Sequence, residues 1–274
     1  MKVAYESLAK TYTRLHNFNH LSSITSWDSS VNMPTKGAEA RANALAELQV
    51  LMHEIKSDPK IKDLITEAEQ DSSLTNEEKA NLREIKLDWT LSNCLPKELV
   101  ERQSLVTAKC EHEWRTQRAK HDWEGFSANL KPVVQVSIEE AKILQSVLGT
   151  ETPYDALMAK YEPGQSSARI RKLFGELRPK ISALIREARD KQAKEEFMQP
   201  KGPFSTQKQK ELGLEVMALV GFNFEGGRLD VSSHPFCGGV PEDVRITTRY
   251  NEEDFIQSLM GVIHETGHAR YEQN

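Results

Sequence analysis

Apolar residues spaced three and four apart dominate the first 220 residues of this 274-residue chain, and period-two alternation appears only after Gly221. The first pattern makes helical faces and the second makes strands. The chain is therefore expected to fold as a mainly α protein, with a little sheet confined to its C-terminal end.

The helical part divides at recognisable signals. Tyr5, Leu8, Tyr12, Leu15 and Phe18 form one stripe. Trp27-Asp28 reads as an aromatic anchor followed by a capping aspartate, and Met33-Pro34 disfavours helix at the residue before the proline. A second helix is expected from about Lys36 to Ile55, and a short one from Ile61 to Glu69 after Asp58-Pro59. Thr75 and Glu78 have the spacing of a capping box. Pro96 opens a charged helix reaching about Lys120. The next runs from about Phe126 to Leu148, with Pro132 as a kink or as its true start. Tyr154 to Tyr161 closes at Glu162-Pro163-Gly164, and Ser167 to about Phe197 is long and charged. Gln199-Pro200-Lys201-Gly202-Pro203 is the clearest break, after which Ser205 to Val220 resumes helix.

Beyond Gly221 two segments alternate. Leu229 and Val231 interleave with Asp230 and Ser232; Val244, Ile246 and Thr248 share one face, with Arg245, Thr247 and Arg249 on the other. Both suit short half-buried strands, expected to pair as a small antiparallel ribbon. His234-Pro235-Phe236-Cys237-Gly238-Gly239 lies between them as a turn-rich stretch.

The last segment carries the chemistry. Asn251 can cap a helix with Asp254 at the reciprocal position, and Tyr250 and Phe255 occupy hydrophobic-staple positions. His264 and His268 then lie one turn apart on one helix, where two imidazoles can converge on one ion. Zinc accepts neutral imidazole, and a catalytic site needs three protein ligands and an open position. Glu265, next to the first histidine, suits a general base. A His-Glu-x-x-His pattern arises by chance in a chain like this with odds on the order of a few per cent or less. Gly267 costs roughly 1 kcal/mol in a helix relative to alanine, which points to close approach of a neighbouring backbone. His16, His20, His53, His112 and His121 read as surface or packing residues.

Composition narrows the partners. A net charge of -5 leaves no basic surplus for phosphates, which argues against nucleic acid. Cys94, Cys110 and Cys237 form neither a disulfide framework nor a Cys-x-x-Cys pair, which fits a reducing compartment. The N-terminus shows no apolar signal core and no run reaches membrane-spanning length. The expectation is a cytoplasmic protein with no membrane partner.

Several segments together resemble the carboxypeptidase Taq family of metallocarboxypeptidases. They are Ser26-Trp27-Asp28 with Met33-Pro34, Tyr154-Asp155-Ala156-Leu157, Tyr161-Glu162-Pro163-Gly164, Asp230 to Phe236, Asp243 to Tyr250, and His264 to Gln273. The resemblance implies a helical, clefted fold like that of neurolysin, usually a homodimer, which releases C-terminal residues from peptides with broad specificity using zinc or cobalt. By motif, His264 and His268 would be metal ligands and Glu265 the catalytic base. His234, Phe236, Asp243, Arg245 and Thr247 would shape the substrate site.

The family's third metal ligand, a glutamate on a later helix, has no counterpart here. Glu272 does not replace it: His268 already uses that stripe, and a terminal turn is expected to fray. Residues 1–274 are thus expected to be a single domain, the N-terminal part of a longer fold, helical over 1–220 with the ribbon and zinc helix over 221–274. Activity would be impaired. Two alternatives stay open: a non-catalytic helical protein that dimerises or binds peptides, and a neurolysin-like endopeptidase.

Overall fold

The computed structural model describes residues 2–196, 198 and 200–274, with all their side chains except that of Arg115. Phe197 and Gln199, which the sequence places at the end of a helix and in a break, lie outside the described residues. The chain divides into two compact units, residues 1–8 with 56–196 and residues 9–55 with 197–274.

The first unit is helical. Asp58 caps α3 (Pro59–Glu69), with proline in its first turn. The expected capping box starts α4 (Asn76–Asn93): Glu78 N–H donates to Thr75 Oγ1 at 3.2 Å, and Thr75 N–H to Glu78 Oε2 at 2.7 Å. Ile61, Ile65 and Ala68 are buried on α3, and Leu82 and Ile85 on α4, at the three- and four-residue spacing that seats one helix on another. The antiparallel pair α5 (Lys97–Ala119) and α6 (Trp123–Leu148) follows. Asp122 accepts from Gly125 N–H at 2.9 Å and starts α6 earlier than the sequence suggests, so Pro132 lies inside it. Left-handed Gly149 ends it.

Thr152 caps the short α7 (Pro153–Met158) and Ser166 caps α8 (Ser167–Gln192). Buried Asp155 joins the two, its Oδ1 accepting from Ser167 N–H at 2.6 Å. That hydrogen bond from the Ser167 backbone is the main reason its carboxyl is held below the ordinary 3.8.

α1 (Val3–Val31) is one unbroken helix. Trp27 and Asp28 are therefore helical, not an anchor and cap: Asp28 instead pairs with Arg41 of α2 (Ala38–Lys56). The second unit also contains α9 (Thr206–Leu219), β1 (Gly227–Val231), β2 (Phe236–Val240), β3 (Asp243–Thr248) and α10 (Phe255–Gln273). The strand order is β1-β3-β2. The two strands expected to form an antiparallel ribbon, β1 and β3, pair in parallel instead, Arg228 opposite Arg245, and the antiparallel partner of β3 is β2. The stretch expected to be turns thus supplies a strand, with Gly239 at φ 121° where it passes the Asp243 carbonyl.

Alternate residues of this sheet make the core. Leu229, Val244 and Ile246 pack with Met217 of α9, Val262 and Ala269 of α10, and Phe222. Helix α10 buries Ser258, Val262, Glu265, Thr266 and Ala269 against this layer. Gly213 of α9 lets the Val262 side chain approach, a Cβ there meeting it at 3.5 Å. No helix described here is long and apolar enough to cross a membrane.

Helix α10 starts a turn later than its sequence signals. Asp254, not Asn251, is the cap, accepting from Ile256 and Gln257 N–H. The carbonyls a longer helix would need are already engaged: Asn251 O accepts from Gln209 Nε2 at 2.9 Å and Glu252 O from Phe204 N–H at 2.7 Å. Asn251 closes a local turn onto Glu253 N–H instead. At the other end Gln273 grips Asn223, accepting from its N–H at 3.0 Å and donating to its carbonyl at 2.9 Å, so the last turn is tied, contrary to the fraying expected.

Asp254→Ala should lower unfolding free energy by about 1 kcal/mol in urea titration and Asn251→Ala by only a few tenths; the reverse order would contradict this capping. Asp155→Asn should destabilise at neutral pH. Because the folded carboxyl titrates below 3.8, its contribution is complete above that value and is lost as pH falls through the lower folded value. Urea midpoints of the two proteins should therefore converge on acidification, and a pH-independent gap would contradict the assignment.

Candidate metal centre

The buried stripe of α10 fixes the rotation of the helix, and that rotation places His264 and His268 on exposed surface beside it. Their Nε2 atoms lie 3.3 Å apart, with the rings edge to face at 4.9 Å. Two nitrogens binding one tetrahedral ion at about 2.0–2.1 Å are separated by about 3.3–3.4 Å. The pair is thus already spaced for a shared ion. Among the described residues no group of three or more His, Cys, Asp or Glu side chains converges to hold a metal.

Glu265 turns inward and is only 8% exposed. Its carboxylate makes no hydrogen bond or ion pair with the described residues, which leaves both oxygens available to accept a proton. On β2, Cys237 packs against the core, and its thiol is pushed up to about 11 by burial, with the charges of Glu265 and Glu272 adding to the shift. A thiol so placed is a small apolar side chain and not a nucleophile at neutral pH.

Gly267 does not meet the expected neighbour: a Cβ there would find no atom within 4 Å. The close approach on α10 occurs two turns earlier. A Cβ at Gly261 would touch Pro235 at 3.6 Å and Thr248 at 3.7 Å, so the His234-Pro235-Phe236 bend rests one turn before His264.

That bend is latched to β3. Thr247, expected on the open face, is fully buried because its hydroxyl is structural. It accepts from Phe236 N–H at 3.1 Å and donates to the His234 carbonyl at 3.0 Å. The Ser232 hydroxyl also donates to that carbonyl and lies 3.0 Å from Thr247 Oγ1. The His234 ring is left exposed.

The remaining expected residues gather on the sheet face opposite α10. Asp243 holds Arg245 through both oxygens, with Nη2 to Oδ2 at 2.9 Å, and Asp230 holds Arg228 likewise at 2.7 Å. Arg245 is the main cause that keeps the Asp243 carboxyl below its ordinary value. Both guanidinium groups lie over the Trp27 ring of α1, at 5.3 Å for Arg228 and 4.5 Å for Arg245. His20 Nε2 stands 3.9 Å from Asp243 Oδ2, so this histidine joins the cluster. Arg245, Trp27 and Phe236 line a groove of about 360 Å³ with Gly238, Gly239 and four serines of α1.

The structure thus brings His264, Glu265 and His268 together on α10, and Phe236, Asp243, Arg245 and Thr247 together across the sheet. Trp27, Arg228 and Ser232 are additions that local periodicity does not announce; only register pairing, Arg228 opposite Arg245, could have signalled the double stack.

Replacing Thr247 by Val should cost about 1–3 kcal/mol, since it leaves the part-buried Phe236 amide donor without its acceptor. Thr247→Ser should cost about 1 kcal/mol for the lost methyl and keep the latch. Faster hydrogen exchange at the Phe236 amide in Thr247→Val alone would accompany this, and equal exchange in both variants would contradict it.

The chain is similar to several known proteins. Residues 7–274 match the family described as carboxypeptidase Taq (M32) metallopeptidase. Thermostable carboxypeptidase 1 of Thermus thermophilus is 30% identical over 99% of this chain and 55% of its own. Its namesake from Pyrococcus furiosus is 33% identical over 97% of this chain and 53% of its own. Among solved structures, Trypanosoma cruzi metallocarboxypeptidase 1 superposes with a TM-score of 0.95 and 45% identity, covering 100% of this chain and 55% of that one. The chain spans about half the length of the curated relatives it matches. It belongs to the carboxypeptidase Taq (M32) family of metallopeptidases.

Proposed function

We propose that residues 1–274 supply two metal ligands, His264 and His268, and the general base, Glu265, of a zinc metallocarboxypeptidase that removes C-terminal residues from peptides with broad specificity. The observation that carries this reading is the 3.3 Å Nε2–Nε2 spacing beside a buried carboxylate without a partner. The donor set, two imidazoles, suits zinc, with cobalt as a substitute. When bound, the ion supplies Lewis acidity toward water and the scissile carbonyl. Glu265 takes a proton from the attacking water on a carboxylate oxygen and delivers it to the leaving amine nitrogen.

Across the sheet, Arg245 and Phe236 face the groove and are the candidates to touch peptide. Asp243 holds the Arg245 fork in one orientation, and Thr247 holds the His234–Phe236 backbone. A homodimer belongs to the same proposal, as does a reducing, cytoplasmic setting, which the three free cysteines support. The third ligand, in this reading, comes from polypeptide outside residues 1–274. By itself the chain holds zinc weakly and leaves peptides nearly intact.

Zinc titration against a competing chelator, with peptide hydrolysis followed in parallel, tests the roles separately. His264→Ala or His268→Ala should weaken zinc binding at least tenfold. Glu265→Gln should leave it little changed, while lowering turnover in a protein with a complete ligand set by about 10²–10⁴-fold. Tight binding with robust turnover by the chain alone would overturn the impairment. Zinc binding indifferent to both histidines would overturn the site. Cleavage of C-terminally amidated peptides would favour an endopeptidase.

A further inference from the structure

The turn between α5 and α6 carries a pocket that the metal reading does not use. Trp114, Gln117 and Arg118 share one face of the last turns of α5, at the three- and four-residue spacing that stacks side chains on a helix. Trp123 and Phe126 open α6, their ring centroids 5.8 Å apart and tilted by 51°. Together these residues wall a cavity of about 260 Å³ whose rim includes His121 and Asp122. Trp123 is 69% exposed and Trp114 36%, although an indole is a side chain that folding normally covers.

The turn holds this arrangement at a conformational cost. His121 is, among the described residues, the one non-glycine at positive φ, 56°, a conformation that L side chains rarely adopt and that recurs at ligand-binding sites. Its neighbour Asp122 accepts from Gly125 N–H at 2.9 Å through Oδ1. Glycine is required at position 125, because a Cβ there would collide with the Asp122 carboxylate and approach Gln117 Nε2 to 2.9 Å.

The charges at the rim select the ligand. Arg118 lies over the Trp114 ring, with its Cζ 5.1 Å from the centroid, and makes no ion pair with a described residue. Asp122, four residues on, does not pair with it, and Asp122 Oδ2 accepts no hydrogen bond from a described residue. Opposite charges that face one pocket and leave each other unpaired are complementary to a molecule carrying both. Gln117 Oε1, buried without a partner among the described residues, is a further acceptor for an N–H. The aromatic wall suits an apolar or aromatic body. The cavity is smaller than those that take drug-sized ligands, about 300–1,000 Å³, so it fits a single residue better than a longer peptide. Asp122 would oppose a phosphate here, and Arg118 a simple cation.

We propose that this pocket binds a free α-amino acid with an aromatic or large apolar side chain. Its carboxylate lies on Arg118, its ammonium on Asp122 and Gln117, and its side chain against Trp114, Trp123 and Phe126. Free amino acids are what a carboxypeptidase releases, and in that respect alone the inference rests on the function proposed above. The pocket's chemistry stands without it, and its test needs neither zinc nor peptide hydrolysis.

L-Phenylalanine is titrated into the chain with a chelator present, and binding is read by calorimetry and by the indole N–H cross-peaks of the four tryptophans. The expected result is saturable binding that moves the Trp114 and Trp123 cross-peaks and leaves those of Trp27 and Trp89 in place. Phenylalaninamide, which lacks the carboxylate, and N-acetylphenylalanine, which lacks the ammonium, should each bind weaker by about tenfold or more, as should alanine. Arg118→Gln should weaken phenylalanine by about the same factor and erase its preference over phenylalaninamide. Trp123→Ala should weaken phenylalanine too, and circular dichroism should stay unchanged in both variants because both side chains are exposed. Lys120→Gln, in the turn but outside the pocket wall, should leave binding intact. Absence of saturable binding at millimolar phenylalanine would overturn the proposal. So would equal binding of the amide and acetyl forms, indifference to Arg118→Gln, or binding that requires zinc, which would move the ligand to the metal centre.

Discussion

The packing of one face of a three-stranded sheet against α10 is the constraint on which the candidate metal centre depends. Val244 and Ile246 of β3 meet Val262 and Ala269, and Met217 of α9 closes the layer. A helix held along Ser258, Val262, Glu265, Thr266 and Ala269 has no rotational freedom, so the residues between its buried and open faces are set. His264 and His268 fall in that margin, and Glu265 turns inward. The ends are fixed too, by Asp254 and Gln209 at the start and by the grip of Gln273 on Asn223. The two imidazoles therefore meet at ligand spacing because of a hydrophobic layer that contains neither of them.

The same strand serves both of its faces. Along β3 the even-numbered residues build the layer under α10, while Asp243, Arg245 and Thr247 point away and organise Trp27 and the His234–Phe236 bend. Two sequence motifs far apart in the chain are thus one physical assembly. Arg245 is neutralised by Asp243 and stacked on an indole, and Thr247 ties down a bend that rests on Gly261 of α10. A change on the groove face can reach the histidines through that bend or through β2 and β3, both of which contact α10.

Much of this was legible in the sequence because the decisive signals are local. The capping box at Thr75, the short helix after Asp58-Pro59, and the His264–His268 spacing each lie within a few residues of chain, where propensity and periodicity act. What escaped depended on partners distant in sequence. Asn251 has every local mark of a cap, yet its carbonyl is taken by Gln209, 42 residues earlier. Phe236–Val240 looks like a turn because of its glycines, and becomes a strand because β3 offers an edge. Parallel pairing of β1 with β3 leaves no trace in alternation. Trp27 looks like a helix terminus until two arginines more than 200 residues away are found over its ring. Gly267 suggested a close neighbour, and within residues 1–274 none of the described atoms provides it.

X-ray absorption at the zinc edge of the zinc-loaded chain tests the central claim most directly, because it counts imidazoles on the ion. Two histidine nitrogens at about 2.0–2.1 Å, with the remaining positions filled by light atoms from solvent, is the predicted result. A sulfur scatterer at about 2.3 Å would place Cys237 or another thiol on the ion, and fewer than two imidazoles would show that α10 does not hold it; either would contradict the account.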